Sequence, residues 1–536
     1  MKRPISFSFI AIFISTLFAQ QQVVFPDDFT DALLNQTVTV TNILTVTNTN
    51  GVETYGGVYL SNGRLWIPTE TNAPGITMFT TANATNVANQ LLLQKGKNNY
   101  NYIAADGSCR TGQLVSNITG TVSKVSGKYA ITPTVAPVFA GNERPTTHGD
   151  LGTYNVKVVS FNVENFGNTT ATTDVQRRKI IAGMKALDAD IYALMEVYGN
   201  TYLEDLANAL TAAMNSPAYD YKFITNINNQ VMCGFIYNSV TVVPYKEMQK
   251  NTLVPNTNTA SYLPYRKIAQ AFDLRSNNER FIICANHWKS KSGRDIPADQ
   301  KDMKDGQSAY NPRRVQEATK TLEFINNMIA YYEDPDVLIV GDLNSYTKED
   351  PIEVLINGGF INQLQKHSPI GYSYNFYTEG YNSAGYLDHS LATPSLDQQI
   401  TKAEPFPINS DESSYMKISS TSTVDPYAKS NMYRCSDHDP IVTAIFLDSS
   451  TGIKTPDEEE EGEILFGNPR DGFLTLKGEY INKVELLDIT GQLLSVYKKD
   501  AADLYFTLPL TGLPAGVYFV RINNGIGGAT YKFVIS

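Results

Sequence analysis

Five short stretches set chemistry-bearing residues directly against apolar runs. They are Ser160-Phe161-Asn162, Leu194-Met195-Glu196, Asn286-His287, Gly341-Asp342-Leu343-Asn344 and Cys435-Ser436-Asp437-His438-Asp439-Pro440, the last followed at once by Ile441 to Phe446. Carboxylates and amides are hard oxygen donors, and a site rich in them suits Mg²⁺, Mn²⁺ or Ca²⁺ rather than zinc. An imidazole beside a carboxylate is held in one tautomer and suits the role of a base near neutral pH. A cation on the non-bridging oxygens, an activated water and a proton for the leaving oxygen are what phosphodiester cleavage requires. Each stretch alone has a plain reading: Asn162 as a turn residue, Glu196 as a solvated strand-end charge, Asp342 to Asn344 as an Asx turn, Asp437-His438 as a hydrogen-bonded loop. Five in order, each beside an apolar run, point to one shared pocket. His389 reads as structural, and His148 and His367 as ordinary surface residues.

The elements that must hold these residues alternate between strand and helix over residues 150–448. Val156 to Phe161, Ile191 to Met195, Phe281 to Cys284, Val337 to Val340 and Ile441 to Phe446 are apolar runs of buried-strand length. Ile180, Ile181, Met184 and Leu187 recur at helical spacing, as do Leu203, Leu206, Leu210 and Met214. Asn311-Pro312 reads as an N-cap and first turn, with Val315, Ala318, Leu322 and Ile325 on one face behind it. Asp350-Pro351 opens another helix, which Gly358 ends. This alternation predicts a layered α/β domain, in which strand ends gather along one edge. A period-2 strand places Asp342 and Asn344 on the same face.

The 536 residues exceed one core, and 42% hydrophobic with 18% charged residues is the balance of a globular chain. The net charge of -11 advertises no basic surface. That counts against a nucleic-acid partner without excluding one, because bound cations neutralise phosphate locally. Lys2, Arg3, the apolar run Phe7 to Phe18 and Ala19 pattern as a signal peptide over residues 1–19. No later run reaches membrane-spanning length, so an exported protein with no integral membrane segment is expected; a monomer is expected as well. Cys109, Cys233, Cys284 and Cys435 lack metal-ligand spacing and read as buried free thiols. Residues 22–140 read as an all-β domain, with a hairpin of Gly56 to Leu60 and Leu65 to Ile67 around Ser61-Asn62-Gly63. Tyr100 and Tyr102 are candidates to stack on bases, with plain surface tyrosines of a structural module as the equal alternative, and Pro133 to Asp150 reads as a linker. Residues 449–463 form an acidic linker, and 464–536 a small β domain.

The motif order resembles the endonuclease/exonuclease/phosphatase superfamily. It runs Ser160-Phe161-Asn162, Leu194-Met195-Glu196, Asn286-His287-Trp288-Lys289-Ser290-Lys291, Gly341-Asp342-Leu343-Asn344, Leu387-Asp388-His389, Ser436-Asp437-His438-Asp439-Pro440. Within that superfamily the chain most resembles large secreted bacterial deoxyribonucleases, sharing Asp305-Gly306-Gln307, Asn311-Pro312-Arg313-Arg314, Glu349-Asp350-Pro351 and Asn409-Ser410-Asp411-Glu412. The resemblance implies a four-layer αββα sandwich with its site at one edge of the paired sheets. It makes Glu196 the main metal carboxylate with Asn162 close by and Asp437 as a further metal-side carboxylate. Asp342 and Asn344 hold the phosphate and the attacking water or a second ion, Asp388 orients His438, which activates water, and His287 serves the phosphate or leaving group. Lys289, Lys291, Arg313 and Arg314 are candidate phosphate contacts. Where the subgroup carries an Asp, this chain has Asn228-Asn229-Gln230, so no carboxylate is assigned to orient His287. Residues 22–140 resemble an oligonucleotide-binding (OB) type barrel. Residues 464–536, with Leu513-Pro514-Ala515-Gly516-Val517-Tyr518 and Lys532-Phe533-Val534, resemble the C-terminal sorting domain of type IX secretion substrates, expected as a small β-sandwich. The implied protein is an exported Mg²⁺-dependent (or Mn²⁺/Ca²⁺-dependent) nuclease whose substrate is DNA before RNA. The alternatives are a secreted phosphodiesterase of the same fold acting on a phospholipid or other phosphoester and a non-catalytic surface-binding protein.

Overall fold

The computed structural model describes residues 21–96, 109–168, 170–225, 231–252, 266–413, 416, 431–448, 473–510, 512–514, 516–523 and 528–535. The signal-peptide stretch 1–19, Tyr100 and Tyr102, the Asn228–Gln230 stretch and the acidic linker 449–463 lie outside the described residues.

The apolar runs of the central part become strands of two six-stranded sheets. The first runs, in spatial order, Tyr221–Ile224, Val231–Asn238, Ile191–Tyr198, Val156–Phe166, Ile441–Ile445 and Ile400–Pro405. The second runs Val242–Lys250, Lys267–Leu274, Arg280–His287, Val337–Asp342, Asp388–Ala392 and Ile361–Asn362. Alternation sorts their side chains. Val156, Val158, Ile191, Ala193 and Met195 pack against Ile283, Ala285, Leu338 and Val340 between the sheets. Val159, Phe161 and Leu194 point the other way, onto Ile180, Met184, Leu203 and Leu206 of helices Thr170–Leu187 and Asn200–Met214. On the far side Ile282, Cys284 and Ile339 meet helices Asn311–Tyr332 and Asp350–Asn357. The result is the αββα four-layer sandwich. Strands covered on both faces must be apolar nearly throughout, so a polar residue inside them has a specific job.

Residues 21–140 form a nine-stranded sheet around Val38, Val46, Leu60, Leu93, Val122 and Ile131. Three expectations fail here. The region is not all-β, because Ile76–Ala88 is a helix. None of its residues is buried and it carries no apolar stripe, so no helical period marks it. Leu65 to Ile67 does not fold back as a hairpin. Strand Gly57–Ser61 pairs with Leu44–Asn48 and Leu91–Gln94 instead, while Ile67 N donates to Ala384 O (3.0 Å) and Ala384 N to Leu65 O (2.9 Å). Nor is Pro133 to Asp150 a free linker. Val138–Ala140 extends the sheet against Leu114–Ser116, and Arg144 forms a two-pronged ion pair with Glu412 (3.0 and 2.8 Å). Both acids of the Asp411-Glu412 motif serve this contact. Asp411 pairs with Arg64 at 2.8 Å, and Glu412 pairs with Arg110 at 2.8 Å.

Residues 473–535 give one antiparallel sheet in the order Leu493–Pro509, Phe473–Asp488, Gly516–Asn523, Gly528–Ile535. Among the described residues this is a single sheet, not the two of a sandwich. All four cysteines are buried and free. No helix among the described residues is long and apolar enough to cross a membrane.

Candidate active site

The site forms where strands of both sheets end. Register places His287 opposite Asp342 and Asp342 opposite Asp388. His287 continues the inward series Ile283, Ala285, and Asp342 continues Leu338, Val340, so both face the other sheet. The close approach of these two strands needs glycine at 341. Its φ is +131°, and a Cβ there would lie 1.9 Å from Asn286 O. In the first sheet Leu194 pairs with Gly234 and Val197 with Met232, so Met195 and Glu196 together oppose Cys233. This is a β-bulge, the device that re-aims a side chain beside a site. It puts Glu196 at φ +63°, a conformation costing on the order of 1–3 kcal/mol and tolerated where function requires it.

The bulge brings Glu196 into the inter-sheet cleft. Asn162 Nδ2 donates to Glu196 Oε1 (3.3 Å) and to Asp342 Oδ2 (3.2 Å), and Asn165 N donates to Glu196 Oε2 (2.9 Å). His287 Nε2 lies 3.5 Å from Glu196 Oε1 and 3.6 Å from Asp342 Oδ2. Glu196, His287 and Asp342 each place a ligand atom within 4.8 Å of the others. Across the cleft His438 Nδ1 is 2.7 Å from Asp388 Oδ2, leaving Nε2 3.8 Å from Asp342 Oδ2. The loop carrying His438 is braced by Ser436 Oγ donating to Asn162 O (2.7 Å) and by Asn409 Nδ2 donating to His438 O (2.6 Å).

Charge is poorly balanced in this arrangement. Burial pushes the Asp342 carboxyl up to about 7; His438 opposes that rise, while Asp388 and Glu196 add to it. Burial raises Glu196 too, with Asp437 the next cause. His287 is held well below the ordinary imidazole range by burial and then by Arg266. Burial also pulls on His438, but Asp388 and Asp342 outweigh it and hold the ring well above its ordinary value. Clustered carboxylates that resist ionisation, with an amide and an imidazole among them, are a donor set that fits a divalent cation.

Of the residues singled out from sequence, Asn162, Glu196, His287, Asp342, Asp388 and His438 come together. Asp437 lies near enough to act on Glu196 but outside the tight cluster. Asn344 is not on a strand with Asp342. The strand ends at Asp342, whose Oδ1 accepts from Asn344 N (2.9 Å) in an Asx turn. The Asn344 amide donates to Trp288 O (3.2 Å).

The basic residues divide. Lys291 is buried against Glu349 (2.5 Å), Arg313 is buried against Glu317 (3.2 Å), and fully buried Arg314 donates to Gln307 O and Ala309 O. Burial leaves these three no face for a phosphate. Lys289 stays half-exposed, over the Tyr310 ring at 4.1 Å.

Two residues beside the site escaped sequence reasoning. Tyr374 packs its ring 4.6 Å from that of His438, and Arg266 has a buried Nε without a partner among the described residues. Neither stands in a motif. The one available signal was that Arg266 directly precedes a strand partnered by the one that ends at His287. His287 Nδ1 is likewise buried without a partner among the described residues. Asn311 is the first helical residue and Tyr310 the cap, and the Asn311 amide donates to Asp350 (3.1 Å).

His389 supports the site from behind, its Nε2 2.7 Å from Ser345 O. Burial lowers it to about 4. The unfolded chain, at the ordinary value near 6.5, takes the proton first. Stability is therefore lost as pH falls from about 6.5 to 4, by about 3 kcal/mol at most. Comparing melting against pH for the parent and His389→Gln should show the parent losing more over this window. Parallel curves would dismiss His389 as the source.

No curated protein matches the chain. Among solved structures, an endonuclease/exonuclease/phosphatase from Bacteroides vulgatus is 15% identical, with 55% of this chain and 99% of that one covered and a TM-score of 0.37. The mannosyl-6-phosphatase Bt3783 of Bacteroides thetaiotaomicron is 16% identical (55% and 100% covered, TM-score 0.36). The human Nocturnin catalytic domain with bound sulfate is 13% identical (54% and 93% covered, TM-score 0.35). These are likenesses of fold between distant chains. Residues 465–536 match the secretion system C-terminal sorting domain. Residues 159–438, more than half of the chain, match the Endonuclease/Exonuclease/phosphatase family, and the chain belongs to that family.

Proposed function

We propose that this protein is an exported, divalent-cation-dependent phosphodiesterase that hydrolyses nucleic acid, DNA in preference to RNA. The observation that carries the chemistry is the His438 ring, tied to Asp388 at 2.7 Å with its other nitrogen turned toward Asp342. Asp388 fixes the tautomer, so that Nε2 takes a proton from water. In the ion-free chain the carboxylates around His438 keep it protonated, so the base role requires those charges to be matched. Glu196 and Asp342, with Asn162 between them and Asp437 at the rim, are the residues to hold a cation, Mg²⁺ or Mn²⁺ before Ca²⁺. Such an ion supplies charge neutralisation on the non-bridging oxygens. His287, whose Nε2 lies 3.6 Å from Asp342 Oδ2, would bond the phosphate or serve the leaving oxygen. Arg266 and Lys289 supply positive charge on the same side. Tyr374 gives the rim an aromatic surface on which a base can stack.

Nucleic acid is favoured over lipid by the motif set and by the N-terminal β module, read as OB-type, that packs on the catalytic part. The sorting domain supports export to the surface or the medium, and we assign residues 1–19 as the signal peptide and type IX machinery as the export partner. The deciding experiment offers plasmid DNA, linear DNA, RNA, sphingomyelin and a phosphomonoester, each with Mg²⁺, Mn²⁺, Ca²⁺ or chelator. DNA should be cut fastest, with activity abolished by chelator and restored by Mg²⁺ or Mn²⁺. Undiminished cleavage in excess chelator rules out the cation, and turnover confined to sphingomyelin or the monoester rules out the nuclease.

A further inference from the structure

One buried carboxylate next to the site has no part in the chemistry above. Glu70 lies on the short helix Pro68–Thr71 of the N-terminal module, yet it is 6% exposed and its oxygens reach into the catalytic part. Oε1 accepts from Thr347 Oγ1 (2.5 Å), and Oε2 accepts from Tyr386 N (3.0 Å) and Thr347 N (3.3 Å). Those two partners belong to the segments that carry the site. Thr347 closes the loop that begins at Asp342 and Asn344, and Tyr386 stands two residues before Asp388. Between them Leu343 N donates to Leu387 O (2.9 Å), so one carboxylate ties together both backbones that set the distance from Asp342 to Asp388. Its neighbours reinforce the hold. Thr69 O accepts from Lys348 N (3.0 Å), and Ile67 packs on Tyr346 and Leu387.

We propose that Glu70 is a positioning residue for the catalytic centre, which makes the N-terminal module a component of the active site rather than a tethered accessory. A buried carboxylate with three donors is a rigid three-way joint, whereas an apolar residue there would leave Tyr386 N and Thr347 without their acceptor. Displacing either segment by a fraction of an ångström moves the base relative to the water it must meet. The claim about turnover rests on the phosphodiesterase reading; the claim about the two segments does not.

The test uses the full chain. Turnover of bis(p-nitrophenyl) phosphate with Mg²⁺ should fall roughly 10–100-fold in Glu70→Ala, with KM within about 3-fold. Glu70→Gln keeps an acceptor for the two N–H groups and a donor for the Thr347 hydroxyl, and should stay within roughly 3-fold of the parent. Arg144→Ala loosens the module at Glu412, away from both segments, and should leave kcat unchanged. Hydrogen exchange without substrate or metal should quicken at 343–347 and 385–389 in Glu70→Ala and not in Glu70→Gln. If the parent hydrolyses no diester, the phosphodiesterase reading fails and exchange alone judges Glu70. A folded Glu70→Ala with parental kcat, unchanged exchange at both segments, or an equal loss in Arg144→Ala overturns the proposal. Should Glu70→Ala not fold, Thr347→Val removes the hydroxyl alone and should cost roughly 3-fold in kcat with local exchange quickened; no change in either measure overturns it equally.

Discussion

Replacing His438 with alanine is expected to lower turnover by roughly 10²–10⁴-fold, the usual worth of a positioned base, while substrate binding changes far less. The ring is buried between Asp388 and Tyr374 with one nitrogen spoken for. The substitution also leaves Asp388 and Asp342 buried without their shared imidazolium. Stability should therefore drop as well, and turnover must be counted per folded molecule. His438→Gln provides the control, since its amide can still donate to Asp388 while having no proton affinity at working pH. It should melt closer to the parent and turn over as poorly as the alanine variant. Asp388→Asn adds a signed pH effect. Asp388 is the largest influence raising His438 against the pull of burial. Without its charge the ring is neutral at lower pH, so the acid limb of the pH–rate profile should move to lower pH while the plateau falls roughly 10–100-fold. A hydrogen-bonded loop histidine without a chemical role predicts lost stability and untouched turnover. A folded His438→Gln with near-parental turnover would remove the ring from the mechanism.

What could be foreseen follows from how polar residues sit in apolar strands. Val156 to Phe161 and Val337 to Val340 are buried on both faces, so Asn162 and Asp342 stood out as interruptions, and the paired sheets bring them to one edge. The Asp388 to His438 pair was reachable only through resemblance, because nothing local links residues 50 apart. The period-2 argument for Asn344 failed because the strand stops two residues earlier and the chain turns on the Asp342 carboxylate. Lys291 and Arg314 read as candidate phosphate contacts because the groups that bury them leave no local mark in the sequence. Their partners, Glu349 and the carbonyls of Gln307 and Ala309, are set by tertiary packing. The clamp of Arg64, Arg110 and Arg144 on Asp411 and Glu412 spans 268 residues or more. It turned a motif associated with the catalytic part into a contact between modules.

Glu196→Gln should divide function from stability most sharply. The amide keeps the size of the carboxylate and can still accept from Asn165 N, so the strained bulge at φ +63° survives. What disappears is a buried charge pushed up by its own desolvation and by Asp437. If Glu196 merely completed the strand end, the change would be neutral or destabilising. If its charge is kept for a cation, the ion-free protein should melt at the same temperature or higher, because a repulsive buried anion has been removed. Turnover should meanwhile fall on the order of 10²–10³-fold, the scale for losing one preorganised electrostatic partner. Mg²⁺ itself reads out the difference without substrate. An ion bound only by the folded parent stabilises it by about 2.7 kcal/mol at a hundred times its Kd, and the Gln variant at that concentration should gain much less. Asp342→Asn should show the same signs, since its carboxyl is pushed up to about 7. A Glu196→Gln protein that melts lower without ion, yet gains as much from Mg²⁺ as the parent, would make this residue structural and move the cation elsewhere in the cleft.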